Sequence, residues 1–337
     1  MTLDPAVAAV RLGVRRSLTD TRGPVLVACS GGADSLALLS AAVFEARRRG
    51  LSVVGVTVDH GLQEGSSARA DEVVAQMACL GADETMAIRV SVDAPGLGVE
   101  AAARQARYAA LGQAAASLGS DLVLLGHTLD DQAETVLLGL ARGSGGRSIA
   151  GMRRMFHESD EFDATRYERP LLDVTRAQTE AACRAEGIEF WTDPHNSDPR
   201  FLRSRVRHTV LPVLEAELGP GVAETLARTA DQLRRDMEAL DFLAELAFQE
   251  VRSGAELDLR LEISPLEVNP AAILARVLRL AALEAGSPAS ELFAVHVDAL
   301  VELTHYADRG RQVQLPGHVT AYHENGHLAF RRTNSSA

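Results

Sequence analysis

The chain of 337 residues contains no lysine, so all 34 of its strongly basic side chains are arginine. That absence excludes a Walker-type phosphate lysine, a Schiff-base lysine and a lysine that could be covalently nucleotidylated. Cysteine is scarce as well. Cys29, Cys79 and Cys183 are far apart and form no Cys-x-x-Cys pair. Their spacing argues against a zinc ribbon, a cysteine-held iron–sulfur cluster or a disulfide framework, and reads as small core residues. No apolar stretch approaches the ~18 residues of a membrane-spanning helix. The opening MTLDPAVAAVRLGVRRSL carries an early Asp4 and places its arginines after its apolar residues, unlike a signal peptide. A cytoplasmic location and no membrane partner are therefore expected. The net charge of -12 lacks the excess of positive charge that polyanion binding usually brings, although clustered arginines can still create a local basic surface.

What is present is a hydrophobic content of 46%, enough for a sizeable core and two or three domains. Short β-branched or leucine-rich runs at 24–30, 51–58, 85–90 and 121–126 alternate with amphipathic stretches of helical length at 34–49, 67–80, 99–118 and 130–141. This is the βαβ pattern of an α/β domain with a parallel sheet covered on both faces. Ligands in such sheets sit at the carboxyl ends of the strands, where SGGADS, DHGLQEGSS, the Pro95–Arg107 segment and GHTLDDQAET fall. Residues 142–170 are glycine-rich, then charged and without sustained period, and read as a loop with a mobile tip. A short helical unit follows at 175–187, and an arginine-studded helix is expected over about 199–217. Gly219-Pro220-Gly221 marks a boundary before a long helix at 221–251. The tail mixes a strand at 256–264, two helices and a terminal β pattern, with a hairpin at Pro316-Gly317. The expected division is a domain over 1–217 and a smaller helical/α+β region over 218–337.

The loop Ser30-Gly31-Gly32-Ala33-Asp34-Ser35, between a strand and a helix, presents backbone N–H groups and two hydroxyls at a helix N-terminus. Such a site suits phosphate oxygens. Its adjacent glycines do not match GxGxxG. A carboxylate aimed at a phosphate would repel it, so Asp34 points to a bridging Mg²⁺, which prefers carboxylate and phosphate oxygens together. The plainer reading is a strand-to-helix turn with Asp34 or Ser35 as its N-cap, which would need only one of these residues.

The hexapeptide resembles the SGGxDS signature of the PP-loop ATP pyrophosphatases, also described as adenine nucleotide alpha hydrolase-like, which split ATP between its α and β phosphates and leave an adenylated substrate. Further stretches resemble one branch of that group, the tRNA(Ile)-lysidine synthetases. Val58-Asp59-His60-Gly61-Leu62 is similar to the branch's VDHGLR segment, with Gln63 where arginine is usual. Glu100 to Arg104 with Arg107-Tyr108 resembles EAxAR..RY, and His127 to Thr135 resembles HHxDDQxET, with Thr128 for the second histidine. Arg169-Pro170-Leu171-Leu172 resembles RPLL. Asp193, Asn196 and Asp198, followed by Arg203, Arg205 and Arg207, resemble DxxNxD…RNxxR with Ser204 for asparagine.

The resemblance implies a two-step reaction. The oxygen on carbon 2 of the wobble cytosine in a CAU-anticodon isoleucine tRNA attacks the α-phosphate of ATP, and the ε-amine of free L-lysine then displaces AMP. It implies ATP and Mg²⁺ as cofactors, tRNA as partner and a homodimer. Ser30, Gly31, Gly32, Ala33, Asp34, Ser35, His60, Arg104 and His127 are the expected ATP-binding residues, with Asp34 on the metal; Asp34, Asp131 and Glu134 are the expected catalytic residues; and Arg200, Arg203, Arg205 and Arg207 are expected to bind tRNA. Helical spacing puts Glu134 on the face of Asp130 and Asp131. That cluster can take a second metal, the lysine ammonium or the proton the ε-amine must lose, or can simply complement a helix dipole. Arg104 fits either a phosphate or a carboxylate, His127 either the site or a packed position, and the arginine helix either RNA or solvent. A tRNA 2-thiolase of the same fold would be expected to carry paired or catalytic cysteines. A small-molecule synthetase would leave the arginine segment without purpose. A non-catalytic tRNA- or ATP-binding protein would not need Ser30, Asp34, Ser35, Asp131 and Glu134 together.

Overall fold

A computed structural model describes residues 3–61, 65–91, 98–143, 145–157, 165–193, 198–254, 258–305 and 311–332. Gln63, Asn196 and the side chain of Glu100 lie outside what is described. The chain divides into two compact units, Met1–Asp231 and Gln232–Ala337.

The first unit begins with α1 (Pro5–Ser17), whose start is set by Pro5 in the first turn and by Asp4, which accepts from Ala6 N. There follow β1 (Val25–Ala28), α2 (Ala33–Arg47), β2 (Val53–Asp59), α3 (Ser66–Cys79), β3 (Glu84–Arg89), α4 (Val99–Leu118), β4 (Leu122–Leu125) and α5 (Leu129–Arg142). The strand order β3-β2-β1-β4 is parallel throughout, and the winding reverses at β1: β2 and β3 lie to one side of it, and the chain then returns from β3 to place β4 on the other. Val25 pairs with Leu122 and Ala28 with Leu125, so β1 and β4 end at the same level. The segments leaving them, 29–35 and 126–135, emerge side by side at the switch point where open α/β sheets bind ligands.

Alternation along the strands feeds two cores. Val25, Val27, Leu122 and Leu124 pack with α1, α2 and residues from α7 (Arg176–Glu186) on one face. Leu26, Val54, Val123 and Leu125 pack with Leu111 and Ala115 of α4 on the other. Both faces are thereby covered, as a parallel sheet requires.

Of the 142–170 segment, expected as a loop with a mobile tip, the described residues instead extend the sheet, while 158–164 lie outside what is described. After α6 (Gly146–Ile149), β5 (Met155–His157) and β6 (Arg166–Glu168) form, β6 parallel to β4 and β5 antiparallel at the edge. Tyr167 explains the register: it is fully buried and stacks on Phe156 with centroids 5.0 Å apart. Three-residue strands are too short to show a period.

The arginine-studded helix is also different in detail. It starts at α8 (Leu202–Arg205), passes through a π-helical turn (Val206–Val210) and continues as α9 (Leu211–Leu218), so Arg200 precedes the helix. Val206 and Leu211 pack on Ala133 of α5, and the widened turn leads into α9, whose second residue, Pro212, has no N–H to give.

In the second unit, entered along α10 (Val222–Val251), a five-stranded sheet of order β7-β8-β11-β10-β9 packs with α12 (Ala271–Glu284) and α13 (Ala294–His305). Its strands are β7 (Arg252–Ser253), β8 (Leu259–Glu262), β9 (Gln312–Leu315), β10 (Val319–Glu324) and β11 (His327–Arg332). The hairpin expected at Pro316-Gly317 joins β9 to β10, and a second, at Asn325-Gly326 with both φ positive, joins β10 to β11. Ile263 and Ser264, expected at the end of the 256–264 strand, instead open the short helix α11 (Ile263–Glu267). Among the described residues no helix is long and apolar enough to cross a membrane.

Candidate active site

Gly32 is the N-cap of α2 and brings no side chain to bond the first N–H groups of the helix, which remain for a ligand. Ser35 staples the loop instead: its Oγ donates to Gly32 O at 2.9 Å and accepts from Ser30 N at 3.1 Å, and the Ser30 and Ser35 hydroxyls lie 3.3 Å apart. The two glycines serve different ends. Gly31 has φ +79°, and a Cβ there would sit 2.7 Å from Val73 Cγ2, so the fold itself demands glycine. At Gly32 the nearest atom to a Cβ would be 3.7 Å away and no positive φ requires glycine. Space is therefore left beside the Gly32 backbone that the fold itself does not fill.

Gly126, just after β4, allows the second segment to approach: a Cβ there would lie 3.2 Å from Ser35 Cα. α5 then begins with a capping box in which Asp131 Oδ2 accepts from Thr128 N at 2.9 Å. Asp34, Asp131 and Glu134 are thus brought to one place, each held by arginine. Arg176 Nε is 3.5 Å from Asp34, its NH2 3.1 Å from Asp131 and its NH1 3.8 Å from Glu134. Arg207 donates to Glu134 Oε1 at 2.6 Å and to Asp131 Oδ1 at 3.1 Å, and Arg203 donates to Glu134 Oε2 at 2.9 Å. Glu134 is fully buried. Three carboxylates face three guanidinium groups, which is how so much charge can be desolvated together.

Electrostatics separate the carboxylates. Burial raises Asp34 to about 6, aided by Asp131 and opposed by Arg176 and by the Thr179 hydroxyl, which donates to its Oδ1. For Asp131 burial pushes the same way, but Arg176, the Thr128 N–H and Arg203 together hold it below the usual range. Asp130 turns aside to accept from Arg176 N at the start of α7, at 2.7 Å. His127 is driven well below its ordinary range by burial and by Arg169, despite Asp131, and its Nδ1 accepts from Arg169 Nε at 3.3 Å. It stays neutral. His60 is lowered by burial and Arg107, and its buried Nδ1 has no hydrogen-bond partner among the described residues.

Arg104 has no carboxylate partner among the described residues. It donates to the Tyr108 hydroxyl at 3.4 Å, which also accepts from Arg169 at 3.2 Å. Arg104 lines a shallow cavity of about 460 Å³ on α4 with Ala101, Gln105, Tyr108 and Ala109. Arg200 and Arg205 are exposed; Arg200 pairs with Asp198 at 2.6 Å and Arg205 donates to Pro199 O at 2.8 Å. The four candidate tRNA arginines therefore split into an outward pair and an inward pair on Glu134. Cys29 and Cys183 are buried, whereas Cys79 is exposed rather than in the core.

Two family models match the chain in order: a PP-loop domain over residues 11–214 and a TilS substrate binding domain over 261–329. A tRNA(Ile)-lysidine synthase from Streptomyces coelicolor is 48% identical, covering 97% of this chain and 99% of that protein. One from Thermobifida fusca is 52% identical over 93% of this chain and 94% of that protein. The chain belongs to the tRNA(Ile)-lysidine synthase family. A U34-tRNA thiolase from Methanococcus maripaludis superposes with a TM-score of 0.53 at 16% identity, covering 68% of this chain and 79% of that one, which is a likeness of fold alone.

Within the lysidine synthase fold, Arg176 and Thr179 are the site residues that sequence reading missed. Their signal was faint: Thr175 and Gln178 form a capping box that starts α7 and aims the next residue's side chain at the switch point. Arg169 is marked in the sequence only by its place in Arg169-Pro170-Leu171-Leu172. It is almost fully buried, stacks over Phe156 with its Cζ 4.6 Å from the ring centroid, and is lowered by that burial and by Arg104.

Proposed function

We infer that the protein ligates lysine to carbon 2 of the wobble cytidine of the CAU-anticodon isoleucine tRNA, using ATP and releasing AMP and pyrophosphate. The observation that carries this is the match of both domains in order with nearly full-length relatives, together with intact Ser30, Asp34, Ser35, Asp131 and Glu134 at one sheet switch point.

In this reading the loop's N–H groups and hydroxyls hold the β and γ phosphates and stabilise departing pyrophosphate. The donor set fits magnesium: the Asp34 carboxylate stands in the first turn of α2 beside the loop, and that ion prefers a carboxylate together with phosphate oxygens. Asp34 would hold that ion, which when bound supplies charge neutralisation of the phosphates. Asp131, held anionic, is suited to retaining a cation such as the lysine ammonium rather than to accepting a proton. Neutral His127 and the cations Arg104 and Arg169 border the same strand exit. The outward Arg200 and Arg205 are suited to RNA phosphates, while Arg203 and Arg207 neutralise Glu134. Residues 1–217 carry catalysis and 218–337 contribute to substrate and tRNA binding. A homodimer in the cytoplasm completes the proposal.

The deciding assay supplies a CAU-anticodon isoleucine tRNA, labelled lysine and ATP. Label should enter the RNA with AMP and pyrophosphate released together. No incorporation, or turnover that requires ammonia or a sulfur donor, overturns the reading.

A further inference from the structure

Arg69 lies in the first turns of α3, outside every motif discussed above, yet its guanidinium borders the phosphate loop. A Cβ on Gly31 would stand 3.0 Å from Arg69 NH2. The Arg69 Cζ lies 4.6 Å from the ring centroid of Trp191, the chain's single tryptophan, and Trp191 N donates to Gly31 O at 3.0 Å. The segment bearing Trp191 is tied down on α3 by Gln76, which donates to Glu189 O. Loop, tryptophan and arginine therefore form one unit.

The hydrogen-bonding inventory of Arg69 is incomplete. NH1 donates to Glu72 at 2.7 Å, but Nε is buried without a partner and NH2 has no acceptor among the described residues. The Glu72 side chain is 67% exposed and three residues along the same helix. Such a pair contributes about 1 kcal/mol at most and does not commit the arginine. An arginine with unused donors, stacked on an aromatic ring and facing a loop of free N–H groups, is pre-organised for a phosphate oxygen. The chain also has Gln63, an uncharged residue, where the family resemblance leads one to expect arginine on the preceding segment.

We infer that Arg69 is a phosphate-binding residue of the ATP site, clamped by Trp191 and reaching over Gly31 to the pyrophosphate end of ATP. This rests on the functional reading above and adds to it the residue that grips the leaving group. Modest movement of the side chain suffices, because it is already 29% exposed.

The test compares the full chain with Arg69→Met, which keeps the apolar stem, and Arg69→Lys, which keeps the charge without the planar fork. Inorganic pyrophosphate with magnesium chloride is titrated against Trp191 emission, and KM values are measured for ATP, lysine and tRNA. Arg69→Met should weaken pyrophosphate binding and raise the KM for ATP by about tenfold, the loss of one charge-assisted contact, with lysine and tRNA unaffected. Arg69→Lys should fall between. Wild-type affinity for pyrophosphate and ATP in Arg69→Met overturns the inference, as does an equal loss for all three substrates with a lowered melting temperature. Lysine incorporation by the wild type, run in parallel, tests the functional reading separately, because the emission titration needs no turnover.

Discussion

Replacing Glu134 by Gln keeps the shape of the side chain and removes one charge from the centre of the cluster. The carboxylate accepts Arg203 Nε, Arg207 Nε and Arg207 NH2 at 2.9, 2.6 and 3.1 Å. An amide would present donors to donors on one side and leave two guanidinium groups short of a counter-charge. Removing one partner of a fully buried ion pair costs about 3–5 kcal/mol. Arg203 and Arg207 are 33% and 21% exposed, so water compensates in part and about 2 kcal/mol is expected here. The apolar contact between α5 and the α8–α9 segment is small, resting on Ala133, Val206 and Leu211 with a few partly buried neighbours. The ion cluster is therefore a principal tether of that segment. Amide hydrogen exchange of residues 202–218 should accelerate about 30-fold, the ratio that ~2 kcal/mol implies, while amides of β1 and β4 keep their protection. Unchanged exchange in 202–218, or equal loss across the sheet, would refute the argument.

The two loop glycines should separate fold from ligand. Gly31→Ala meets Val73 and a positive φ and should destabilise by about 1–2 kcal/mol or more, seen as a lowered melting temperature. Gly32→Ala should leave the melting temperature nearly unchanged and raise the KM for ATP at least about tenfold; a normal KM would mean the vacancy is idle. Acid should loosen α1 through Glu45. Its carboxylate is held below the ordinary 4.5 by the Arg15 hydrogen bonds, against the effect of its burial and helped by the charges of Arg15, Arg48 and Arg11. A depressed acid stabilises the fold above its unfolded pKa and loses that contribution as pH falls through the folded one. Glu45→Gln should therefore be less stable than wild type at pH 7 by about 1 kcal/mol and equal to it once pH is well below 4.5, and a gap that persists in acid would count against the pairing.

The sequence by itself determined the βαβ order, the two-hydroxyl loop after β1 and the carboxylate cluster after β4. Each is a local pattern: strand and helix periods differ, and SGGADS and LDDQAET are contiguous. It also determined what chemistry was excluded, because an absent lysine is absent in any fold. Tertiary structure alone decided the partners. Arg176 and Thr179 meet Asp34 across some 140 residues of chain, and Arg203 and Arg207 reach Glu134 because a π-helical turn and three apolar side chains fix their direction. Nothing local in α3 marks Arg69 as belonging to the phosphate loop; its place depends on Gly31 lacking a side chain and on Trp191 arriving from the far end of the domain. Charge in a sequence has position but no direction. Here direction separates the arginines that neutralise the buried carboxylates from those left facing solvent.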